Sequence, residues 1–128
     1  MQNEEIKTKL QELRETAERR LRAEPEAQMV IALRSTKGGI YVVALPDWTD
    51  PTSEEALLQI LRDGGDTEIE QLVCIWQHDC CLDLPSMRFR RSLLELDERN
   101  ADTLVLLNGM DADGRLRPKP VPLKITTK

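Results

Sequence analysis

Four residues able to bind a metal or supply a nucleophile fall in one short stretch: Cys74, His78, Cys80 and Cys81. Thiolates and an imidazole are the ligands a tetrahedral zinc site uses. Their spacing, Cys-x3-His-x-Cys-Cys, departs from the two separated pairs of a zinc ribbon. Cys74 also lies inside the apolar run Leu72-Val73-Cys74-Ile75-Trp76, where a free cysteine behaves as a small buried hydrophobe. His78 is the sole histidine, so a Cys–His pair would have to use it, with Cys80 two residues away. Nothing in the sequence marks a cleft around that turn. The residues therefore favour structural cysteines and no bound cofactor. The alternative is a metal- or thiol-dependent protein centred on this hairpin, with zinc as its ion.

Other candidates carry less chemistry. Arg88, Arg90 and Arg91 flank Phe89 on one helix, and Trp48 stands in the polar loop Asp47-Trp48-Thr49-Asp50. Trp and Arg are the usual anchors of protein interfaces, which makes Trp48, Arg88 and Arg91 the candidate partner-binding residues. Asp111-x-Asp113-Gly114 lacks the later oxygen ligands of a calcium loop and reads as a turn. Phosphate loops, dinucleotide fingerprints, serine-nucleophile elbows and H-E-x-x-H motifs are absent from the sequence. No catalytic residue is singled out, and the reading leans away from an enzyme.

Charge and composition narrow the class. The net charge is −5, whereas nucleic-acid binding usually needs a basic face. Aromatic residues make up only 3% of the chain, too few for a platform on which single-stranded bases stack. There is no apolar stretch of about 18 residues to cross a membrane. Met1-Gln2-Asn3-Glu4-Glu5 has neither the basic start nor the apolar run of a secretory signal. Three cysteines are an odd number clustered together, which fits reduced thiols and a cytoplasmic location. Acids crowd residues 46–71, while the Pro-rich tail 115–128 holds five bases and no acid. Pairing between these two segments is one reading, and two solvated surfaces the other.

These residues must be positioned by a single α+β domain spanning 1–128. Ile6, Leu10, Leu13, Ala17 and Leu21 form one stripe of an amphipathic helix over 3–22. Met29–Leu33 and Ile40–Leu45 predict a hairpin around Ser35–Gly39, with both strands covered on both faces or central in the sheet. Thr52-Ser53-Glu54-Glu55 matches a capping box for a helix to about Asp63, with Ala56, Leu57, Ile60 and Leu61 inward. A second hairpin joins Leu72–Trp76 to Leu82–Leu84. Ser86 caps a helix over 87–96 with Phe89, Leu93 and Leu96 inward. Strands follow at 103–107 and, at the end of the chain, 121–126. The order αββαββαβ(β) predicts a largely antiparallel sheet with three helices mainly on one face. With no preassembled reactive centre in view, the expected function is a non-enzymatic interaction or adaptor domain, engaging a protein partner or a second copy of itself.

Overall fold

The computed structural model describes residues 2–128, apart from the side chains of residues 2 and 3. Met1, which opens the segment read as no secretory signal, lies outside the described residues. The chain builds α1 (Gln2–Ala23), β1 (Met29–Ser35), β2 (Ile40–Leu45), α2 (Thr52–Asp63), β3 (Ile69–Trp76), α3 (Met87–Leu96), β4 (Leu104–Met110) and β5 (Leu116–Pro122). One five-stranded sheet runs in the order β2-β1-β3-β4-β5. Three of its pairings are antiparallel, and β3 with β4 is parallel. The protein is thus an α+β fold with three helices on a mixed sheet.

Side-chain alternation along the central strands divides the core into two layers. Val30, Ala32, Val73 and Ile75 meet Leu10, Leu13, Ala17 and Leu21 of α1. Met29, Ile31, Leu33, Leu72 and Cys74 point the other way, into a layer with Leu57, Leu58 and Leu61 of α2 and Phe89 and Leu93 of α3. Because β1 and β3 are buried on both faces, their central runs Met29–Leu33 and Leu72–Trp76 are continuously apolar. β2 is equally apolar in sequence but lies at the sheet edge and is only half buried, which corrects the expectation of full cover.

The second expected hairpin is reduced to one bridge between Ile75 and Leu82, because Pro85 and the start of α3 leave no room for a ladder. The chain instead crosses over through α3 to reach β4 alongside β3. Buried Asn100 secures that crossover. Its Oδ1 accepts from Ile69 N at 2.7 Å, and its Nδ2 donates to the carbonyls of Thr67 and Leu93 at 2.9 and 2.8 Å.

The last strand begins at Leu116, earlier than the sequence suggested, and ends where Leu123–Thr127 coil into a 3-10 turn. Pro118, Pro120 and Pro122 are tolerated there because β5 is an edge strand. At a period of two, their missing N–H groups all fall on the same side of the strand. Among the described residues, Arg117, Arg115 and Lys124 of the tail pair with Asp111, Asp113 and Asp102, and no ion pair joins the tail to the acidic 46–71 segment of the same chain.

Candidate functional site

At the carboxyl end of β3, the first turns of α2 and α3 face each other. α2 starts after Pro51, whose N-cap position makes no side-chain bond. The expected capping box does not form. Asp50 takes over, its Oδ1 accepting from Thr52 N at 3.0 Å and Thr52 Oγ1 at 2.7 Å. These bonds hold the Asp50 carboxyl below its usual range. The helix is also rotated from the expected stripe: Ala56 and Ile60 are exposed, while Glu54, Leu57, Leu58 and Leu61 are buried.

Glu54 is therefore a carboxylate on the core-facing side, its side chain only 2% exposed. A buried charge needs partners, and α3 provides them. Ser86 caps α3 by accepting from Phe89 N at 3.0 Å, and its hydroxyl hydrogen is donated to Glu54 Oε2 at 2.9 Å. Arg88 donates from Nη2 and Nε to Oε1 at 2.7 and 3.2 Å. Two helix N-termini add partial positive charge around the same carboxylate. Both oxygens thus accept from fixed donors. One serine hydroxyl bridges the cap of its own helix and the acid of the other.

Glu54 was missed in the sequence because the charged face was assumed to be solvated. A signal was present: Glu54 is in phase with Leu57, Leu58 and Leu61 at i+3, i+4 and i+7.

The conspicuous thiol cluster is not assembled. Cys74 is fully buried in the core, and burial, aided by nearby Asp83 and Glu54, pushes its thiol well above the ordinary value. It stays protonated, a poor ligand and nucleophile. Cys80 and Cys81 are exposed beyond the strand end. Asp79 and Cys80 both adopt positive φ, at 60° and 52°, folding the chain back so that Trp76 N donates to Cys81 O at 3.0 Å. Among the described residues, no three His, Cys, Asp or Glu side chains converge to hold a metal ion.

Of the candidate partner residues, Arg88 is engaged by Glu54, whereas Arg91 is exposed. The third arginine of that helix, Arg90, turns inward and donates to the carbonyls of Pro85 and Thr126. Trp48 is 43% exposed and meets Trp76 edge-on, with ring centroids 6.2 Å apart. Its backbone N–H donates to Gln28 Oε1 at 3.0 Å. Beside Trp76 opens a cavity of about 550 Å³ lined by Gln28, Gln77, His78, Glu26 and neighbouring backbone. Gln77 is anchored there by bonds from Nε2 to the carbonyls of Leu21 and Glu24.

Comparison with solved structures places this architecture. The cytidine deaminase from Bacillus anthracis superposes with a TM-score of 0.63 at 15% identity, covering 91% of this chain and 84% of that one. A mutant cytidine deaminase from Mycobacterium tuberculosis gives 0.60 at 20% identity, covering 91% and 92%. The cytidine deaminase from Mycobacterium leprae gives 0.55 at 13%, covering 84% and 91%. The fold is that of the cytidine deaminases.

This overturns the reading of the chain as a non-enzymatic adaptor, because the architecture is an enzyme fold. Composition and motif absence could not reveal it, since at such low identity the likeness lies in strand order and crossover. No protein-family model matches the chain. No curated protein sequence matches it either. None of the described helices is long and apolar enough to cross a membrane.

Proposed function

We propose that this chain binds a nucleobase or nucleoside at the carboxyl end of β3, and that whatever chemistry it performs there does not run through zinc. The observation that carries the ligand class is the cavity beside Trp76 in a cytidine deaminase fold. An indole surface with side-chain amides around it suits a planar heterocycle, which offers both an apolar face and a hydrogen-bonding edge.

Zinc deaminases of nucleobases hold their ion with three His or Cys side chains and move protons with a glutamate, in an H-x-E…P-C-x-x-C pattern. This chain reads Thr52-Ser53-Glu54 and Pro85-Ser86-Met87-Arg88-Phe89. The glutamate and proline are present, but the three donor positions carry Thr52, Ser86 and Phe89. Thr52 Oγ1 is committed to Asp50, and Ser86 Oγ to Glu54 and Phe89 N. Phe89 is a core residue with no donor atom on its side chain. The residues present do not fit a zinc ion. Both oxygens of Glu54 are already engaged, by Ser86 and by Arg88.

The two tryptophans report directly on the site. Titration with cytidine and with cytosine is expected to change the indole fluorescence saturably, and Trp76→Leu to abolish the change. Ammonia is not expected to be released. A fluorescence signal indifferent to pyrimidine and purine nucleosides at millimolar concentration overturns the ligand assignment. Ammonia release by protein carrying stoichiometric zinc overturns the chemistry. Three free cysteines support a reducing compartment, the cytoplasm, as the place of action.

A further inference from the structure

The mismatch with zinc has a structural counterpart. In a zinc deaminase the ion held by the H-x-E…P-C-x-x-C side chains is the local positive charge, and in this chain those pattern positions lie at the starts of α2 and α3. Here the positive charge at that junction is a guanidinium. Arg88 reaches back from the first turn of α3, and Ser86 donates from the cap, both onto a carboxylate of α2. α2 and α3 also share an apolar layer with the sheet. We propose that the Glu54–Ser86–Arg88 cluster replaces a metal ion as the clasp between α2 and α3, so that this domain folds and holds its site without any metal. This rests on the reading that the centre is a deaminase position whose zinc donors have been exchanged.

Three features support the exchange as one coordinated change. The serine stands where the pattern asks for a thiol, and it serves as both helix cap and donor to Glu54. The arginine lies within the same Pro85–Phe89 segment, two residues beyond the serine. The glutamate is almost fully enclosed, so it requires the charge that Arg88 brings. Other parts of the molecule are less informative. A cavity of about 410 Å³ between α1 and β5 is bordered by Lys7 and Arg117, but Arg117 already pairs with Asp111. Asp66 Oδ1 is buried without a partner among the described residues, but the other oxygen is taken by Tyr41 Oη at 2.6 Å, and no group of three metal-binding side chains forms there among the described residues.

The test uses the full chain purified from zinc-supplemented medium, with elemental analysis and thermal unfolding in added zinc or chelator. Substoichiometric zinc and a midpoint indifferent to chelator are expected. Arg88→Gln is expected to lower the midpoint by roughly 5–10 °C, because it strands a buried carboxylate. Glu54→Gln should cost less, and the double variant clearly less than the sum of the two. If Arg88→Gln does not fold, Arg88→Lys, which keeps the charge but loses the fork, should fold with a smaller loss. Stoichiometric zinc that is lost in Ser86→Ala, a chelator-sensitive midpoint, or strictly additive single variants each overturn the proposal. Ligand binding is read separately at Trp76, so either result can fail while the other stands.

Discussion

Two groups of polar residues sit at the same end of the sheet and have opposite fates. Cys74, His78, Cys80 and Cys81 are neighbours in sequence, yet one thiol is sealed in the core and two project outward. Glu54 and Arg88 are 34 residues apart and share a 2.7 Å bond. The β3 strand end separates its residues by alternation and by a turn with two left-handed positions. The two helix starts converge theirs, because the first turns of both helices aim inward at one place. Proximity along the chain thus misleads at a strand end, whereas the phase of a buried face is the safer guide.

Breaking the converging group should have the largest effect. Arg88→Ala is expected to cost about 2–3 kcal/mol in urea unfolding at unchanged m, somewhat less than for a fully enclosed pair because Arg88 is half exposed. An unaltered midpoint would place the enclosed carboxylate elsewhere. Ser86→Ala removes a cap and a donor together and should cost roughly 1–2 kcal/mol, with Ser86→Thr recovering most of it.

A third expectation concerns pH. The Arg99 side chain, bonding to Asp97 just beyond α3, holds that carboxyl well below the usual range. A depressed folded-state pKa stabilises the fold above the unfolded value of about 4, and that contribution is lost as pH falls through the folded value. Asp97→Asn should therefore flatten the acid limb of a stability-versus-pH curve below about pH 4 while lowering stability at neutral pH. The same steepness in the variant would contradict this.

The smallest effects belong to the dispersed group. His78→Ala, Cys80→Ser and Cys81→Ser should each change stability by less than about 0.5 kcal/mol. Thiol titration of the native chain should show two fast groups, Cys80 and Cys81, with Cys74 reacting only on unfolding. Three slow thiols, or a metal dependence confined to these residues, would reverse the comparison.

Much of the scaffold was legible. The α1 stripe, the β1–β2 turn and the α3 cap follow local rules that tertiary structure did not override. Gly38, at φ 90°, shows why the turn needs its glycine. The second hairpin was misread because Leu82–Leu84 has a strand's composition but only one bridge to β3. The crossover to β4 is pinned by Asn100 and Thr103, two buried polar residues with no periodic signal. The site was illegible for a related reason. Its acid lay on a face assigned to water, and its arginine was treated as a surface anchor. The deaminase architecture lay in the order of strands, which no motif in this chain announces.

The prolines of β5 have a consequence for assembly. With nitrogens lacking hydrogen at alternate positions, that flank of the sheet cannot template another extended chain by a regular ladder. The opposite flank, β2, has no such block, and Ile40 stands open there. If partly unfolded copies ever stack, growth would be one-directional, starting at β2 and ending wherever a β5 is presented.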